Sequence, residues 1–214
     1  MLSLKVLFCP EGELYDLLEN SAQAAQRNVE LLDRYLRARM GVIGPLPDVE
    51  DIELARRDNR RLTRRITTLL AQTGATLPFG SEEIEALSYA LHSITKLAEK
   101  LVERLSVYPR SLPGEIFQRP SALLKDAVAA VVLMVQQLRE QWNLATIQAC
   151  QDRIQTAEGE ADGALLTALQ ERNRAACDPR ELVILKQVCA TIEEAIDHCR
   201  DAGSAVYRIV LAHA

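Results

Sequence analysis

Apolar residues recur along this chain at helical spacing. Between about Leu144 and Arg174, Ile147, Ile154, Ala161, Leu165 and Leu169 share one face at about 100° per residue. Ile84, Leu87 and Leu91 share a register with Leu185, Val188 and Ile192, 101 positions later. Helix breakers divide the chain into six such segments. The first runs from about Glu11 to Arg39 and stops at Gly41, Gly44, Pro45 and Pro47. Asp48 or Asp51 caps a second, which lasts to about Thr73 before Gly74 and Pro78. Ser81, followed by Glu82 and Glu83, is the expected cap of a third reaching Ser106. A fourth spans about Ser121 to Gln141 and a fifth about Leu144 to Arg174. Asp178-Pro179 opens a sixth that ends near Leu211, with the proline in the first-turn position it favours.

The breakers fall symmetrically. Residues 107–120, with Pro109, Pro113, Gly114 and Pro120, form the one linker-like stretch, and it sits at the midpoint. Three helices, a linker and three more helices predict an all-α, six-helix fold of two pseudo-repeated three-helix bundles, 11–106 and 115–213, within one domain. Composition agrees. Only 9 glycines and 8 prolines occur in 214 residues and aromatics make up 4%, which excludes an all-β fold. A chain of this size buries roughly 70% of its unfolded surface, so neither a disulfide nor a metal is needed merely to fold it. The apolar run Ala127–Val135 is half a membrane span and reads as a core helix.

Charge and cysteines narrow the setting. With 25 Lys plus Arg against 30 Asp plus Glu, the net charge is -5, and no general basic excess exists to hold nucleic acid. Cys9, Cys150, Cys177, Cys189 and Cys199 are odd in number and form no CxxC pair, which predicts reduced thiols in the cytoplasm. Met1–Pro10 is too short for a secretory segment. No glycine-rich phosphate loop, GxSxG or HExxH string occurs, and His198 and Cys199 are helical neighbours that point apart. The chain is therefore not expected to be an enzyme.

The informative chemistry lies in the last two helices. Glu158 falls inside the apolar arc of the fifth, with Asp162 beside it, while Glu160 points the opposite way. A carboxylate on a burying face costs several kcal/mol unless a cation or strong donors satisfy it. In the sixth helix Glu193, Asp197 and Asp201 line one stripe at the edge of the apolar face. If the stripes face each other, their carboxylates suit a hard or borderline metal ion. The competing reading is ordinary salt bridging, with Arg200 three residues after Asp197 and Lys186 seven before Glu193 as ready cations.

Three strings carry a family resemblance: Leu77-Pro78-Phe79 followed by Glu82-Glu83-Ile84; Glu158-Gly159-Glu160-Ala161-Asp162; and Ile192-Glu193-Glu194-Ala195-Ile196-Asp197-His198-Cys199-Arg200-Asp201. With the element order, they make the chain resemble the PhoU-like phosphate-transport regulators, in the branch associated with Pit-type phosphate transporters. The resemblance implies two related three-helix bundles and Glu-x-x-x-Asp motifs that bind metal on the second and third helices of each half. Carried onto this sequence, the implied ligands are Glu158, Asp162, Glu193, Asp197 and Asp201. Iron is the expected metal, with manganese or zinc as alternatives.

The first half departs from that pattern. Its corresponding positions are Arg56 and Arg60 on the second helix and His92 and Lys96 on the third, which cannot hold the same cation. Arg56, Arg60 and Arg64 belong to a run of six arginines within ten residues, either a solvated face or an anion site built on bidentate guanidinium contacts. Taken together, the implied function is a cytoplasmic, metal-binding adaptor of phosphate transport. Its partner would be a phosphate transporter or its signalling machinery, with no nucleic acid and no membrane span, peripheral membrane association, and self-association into a homo-oligomer. The alternatives are a metal-dependent phosphohydrolase and a metal-free interaction module.

Overall fold

Six helices follow one another in the order the breakers dictate. The computed structural model describes residues 10–39, 49–73, 80–107, 114–139, 142–175 and 178–212. The helices are α1 (Pro10–Arg39), α2 (Val49–Thr73), α3 (Ser81–Val107), α4 (Gln118–Gln137), α5 (Leu144–Arg174) and α6 (Pro179–Leu211). Outside the described residues lie Cys9, Cys177, His213, the Leu77-Pro78-Phe79 string, Asp48, residues 108–113 of the expected linker, and the side chain of Arg56.

Helix ends follow local chemistry. Asn143 caps α5 by accepting a hydrogen bond from the Thr146 amide at 3.1 Å, and Asp178 caps α6 by accepting one from the Arg180 amide at 2.8 Å, with Pro179 in the first turn. Two ends differ from expectation. Ser81 is the first residue of α3 rather than its cap, and the amide of Ile84 bonds to the Gly80 carbonyl at 3.3 Å. Instead of beginning at Ser121, α4 starts at Gln118, after a 3-10 turn over Gly114–Phe117, and it ends at Gln137. Pro120 therefore sits inside its first turn, where the missing N–H would have had no helical partner. Phe117, buried in that turn, anchors the entry.

One hydrophobic core runs through both halves. Within the first half α1, α2 and α3 pack mutually; within the second, α4, α5 and α6 do the same. The halves join through α1 against α4 and α3 against α6, which leaves α2 and α5 as the outer helices. The shared register is realised as burial: Ile84, Leu87, Leu91, Leu185, Val188 and Ile192 are all at most 1% exposed. The apolar run Ala127–Val135 lies in α4, the central helix of the second half, with Leu133 as its exposed member. No helix among the described residues is long and apolar enough to cross a membrane.

Polar links reinforce the α1–α4 contact. Asp33, buried on α1, accepts from the Ser121 hydroxyl at 3.1 Å and the Lys125 ammonium at 3.0 Å, and pairs with Arg37 Nε at 3.0 Å. Just past α4, Arg139 donates to Glu19 at 2.7 Å, reaches Asp16, and lies 5.6 Å over the Tyr15 ring. Together these pin both ends of the interface with charge-assisted bonds.

Candidate functional site

The acidic stripes of α5 and α6 meet at the seam between the two helices. The burying face of α5 carries Ile147, Ile154, Ala161 and Leu165, all fully buried, and this turns Glu158 inward so that its side chain is only 24% exposed. On α6 the buried Ile192, Ala195, Ile196 and Cys199 place Glu193 and Asp197 at the rim of the same interface. Arg200, also on α6, donates through Nη1 to Glu158 across the seam. The same nitrogen lies 3.2 Å from Asp197, and Nη2 lies 3.7 Å from Asp201. Partial burial works against the charge of Arg200, but Glu158, Asp197 and Asp201 outweigh it and hold its pKa above the ordinary arginine value.

The predicted carboxylates thus divide into two groups. Glu158, Asp197 and Asp201 share one guanidinium, and Asp201 also lies 3.5 Å from Nδ1 of His198. Glu193 and Asp162 have no cation partner among the described residues. Burial raises the pKa of Glu193, and the nearby charges of Asp162 and Asp197 raise it further. Excess negative charge fits a cation, whereas the present arrangement is organised on Arg200. Among the described residues no group of three or more His, Cys, Asp or Glu side chains is arranged to hold an ion. Glu160 points outward, as its place on the helix predicts, and pairs with Arg119 of α4.

The equivalent seam of the first half, between α2 and α3, has the opposite character. Arg60 and Arg64 are exposed on α2 and Lys96 on α3, and none has an acidic partner among the described residues. The neighbouring arginines are engaged: Arg61 pairs with Asp58 at 3.4 Å, and Arg65 donates to Glu13 of α1 at 2.6 Å. At the bottom of the seam Asn59, only 3% exposed, places its side-chain nitrogen 3.0 Å from Nδ1 of His92. Burial lowers the pKa of His92, and the charges of Lys96 and Arg60 lower it further, so the ring is neutral at pH 7.

Sequence pattern located both seams but missed their fasteners. The partner of Glu158 was invisible along α5 because it comes from α6. Asn59 was overlooked because it stands beside a run of arginines; its one signal is a polar residue on the helix face that carries Ile66 and Leu70, seven and eleven positions on.

No protein-family model matches the chain, and no curated protein does. Solved structures do. A PhoU-like phosphate regulatory protein from Shewanella oneidensis MR-1 superposes with a TM-score of 0.73 at 16% identity, covering 93% of this chain and 99% of its own. A PhoU-like protein from the same organism superposes with a TM-score of 0.75, also at 16% identity, covering 92% of this chain and 96% of its own. At that identity the likeness is one of architecture, and the chain has the PhoU-like fold.

Proposed function

We propose that this chain is a non-enzymatic accessory protein that regulates phosphate transport, acting on a phosphate transporter of the Pit type or on the machinery that signals to one. The observation that carries the reading is a PhoU-like fold over nearly the whole chain, one of whose solved neighbours is described as a phosphate regulatory protein. Two surfaces of opposite charge, on the outer helices α2 and α5, suit a docking protein better than an enzyme with a single enclosed cleft.

Metal binding is the second element of the proposal. The ligands are Glu193 and Asp162, whose charges lack a counterion within the described chain; Glu158, Asp197 and Asp201 join where Arg200 gives way. The ion would be iron, manganese or zinc, and it would supply the positive charge that the seam lacks. Site and partner sit at the cytoplasmic face of the membrane in this reading.

Phosphate uptake tests the regulatory element, measured in cells that carry a Pit-type transporter with and without this chain. Uptake that changes with the chain present, at equal transporter levels, is the expected result, and unchanged uptake would overturn the reading. Elemental mass spectrometry tests the metal. About one metal ion per chain, lost when Glu193 and Asp162 are replaced by alanine, is expected; no metal after reconstitution would remove that element and leave the regulatory one standing.

A further inference from the structure

The first-half seam is built as well as charged. Asn59 is buried where α2 meets α3, and its side-chain nitrogen lies 3.0 Å from Nδ1 of His92 and 3.5 Å from the His92 backbone carbonyl. A carbonyl oxygen can only accept, so the end of the Asn59 amide facing it is the NH2. That group consequently donates to Nδ1 as well. Thr63 lies 3.4 Å from Nδ1, but its hydroxyl hydrogen goes to the Asn59 carbonyl at 3.0 Å and leaves Nδ1 to Asn59. A neutral imidazole whose Nδ1 accepts carries its hydrogen on Nε2. No described residue takes that hydrogen.

Two cations without an acidic partner among the described residues, Arg60 of α2 and Lys96 of α3, act on this ring through their charges. Arg64 lies one turn beyond Arg60 on α2. Each group here donates and none accepts: a guanidinium fork, an ammonium and an imidazole N–H.

We propose that the α2–α3 seam binds a phosphate group, as a tetrahedral oxyanion held by Arg60 and Lys96 with His92 Nε2–H as a neutral donor and Arg64 as a flanking charge. Asn59 is a positioning residue that acts through His92. The group is either free inorganic phosphate or the monoester of a lipid headgroup, and the chemistry is the same for both. The site is independent of the acidic seam in the other half, so loss of metal binding would leave it intact.

Isothermal titration with inorganic phosphate, alongside vesicle flotation with phosphatidylcholine carrying phosphatidic acid, tests the proposal on the full chain. Either saturable phosphate binding or phosphatidic-acid-dependent flotation is expected, and which of the two occurs identifies the source of the group. Arg60→Gln with Lys96→Gln should weaken binding about tenfold or more. His92→Phe should weaken it by less, and the exposed Arg174→Gln on α5 should leave it unchanged. Arg60, Lys96 and Arg174 are exposed and His92 is half-buried, so a melting temperature within a few degrees of the parent is the check that each variant is folded. Absence of both forms of binding overturns the proposal, as does equal weakening by Arg174→Gln, which would mark general charge attraction.

Discussion

Arg200 of α6 donates to Glu158 of α5 although the two lie 42 positions apart, and that one guanidinium also neutralises Asp197 and Asp201. Three of the five predicted carboxylates are thereby held together by a side chain of the seam's own.

Replacing Arg200 with glutamine removes the cation that Glu158, Asp197 and Asp201 share. The Arg200 side chain is 40% exposed, so the loss is screened and should amount to about 1 kcal/mol at low salt, shrinking as salt is added. Urea unfolding at two ionic strengths measures both values. The same variant should bind divalent manganese more tightly than the parent, because Glu158 and Asp197 are freed.

Asp33 has a stronger claim on stability. Its side chain is 11% exposed and holds Ser121, Lys125 and Arg37, so Asp33→Ala should cost about 1 to 2 kcal/mol, chiefly by leaving the buried Ser121 hydroxyl without its acceptor while the more exposed Arg37 and Lys125 turn to water. Asp16→Ala, an exposed partner of Arg139 at the other end of the same interface, should cost less than about 0.5 kcal/mol. Comparing the two urea midpoints tests whether burial sets the difference.

His92 makes stability depend on pH in a defined direction. Burial, Lys96 and Arg60 lower its folded pKa below the ordinary 6.5, so the unfolded chain takes up the proton first on acidification. Its contribution is complete above pH 6.5 and is lost as pH falls from there through the folded pKa. The difference in unfolding free energy between the parent and His92→Gln should therefore narrow across that window, as measured by chemical denaturation at a series of pH values.

The glycines of α5 and α6 should respond oppositely to substitution. A Cβ on Gly159 or Gly163 meets nothing within 4 Å, so alanine at each should stabilise α5 by about 0.5 to 1 kcal/mol through helix propensity. At Gly203 a Cβ would stand 2.6 Å from Gln151 Oε1 and 3.1 Å from Ile154 Cδ1, between α6 and α5. The glutamine end can swing aside for alanine, whereas Gly203→Val should cost about 1 to 3 kcal/mol by overpacking. Melting temperatures of the three variants check the ordering.

Burial also silences two thiols. Cys189 has its pKa pushed up to about 12, chiefly by burial and then by Glu193, and fully buried Cys199 is raised further still. Both should resist iodoacetamide in the native protein at pH 8 and react at once in urea, which mass mapping of the labelled peptides would show.

Element order and most boundaries were legible because breakers and caps act locally. Asp178-Pro179 and the break before Leu144 mark the starts of α6 and α5 where the structure has them. The start of α4 was misplaced because a proline, read as a stop, is also tolerated in a first turn. The acidic and basic seams were legible as helix faces, since residues four apart must share one. Which polar group meets which across helices was not. Arg200 to Glu158, Lys125 to Asp33 and Asn59 to His92 all join different helices, and such pairs follow from packing rather than from spacing along one helix.

The contrast between the two seams is local, because the two halves carry nearly the same net charge. Beyond the screening length of about 8 Å in physiological salt, a partner therefore meets a uniformly acidic body. Only at contact does it meet Arg60 and Arg64 on α2 or Asp162 on α5, so a target is selected by the seam it touches and not by the field that guides it in.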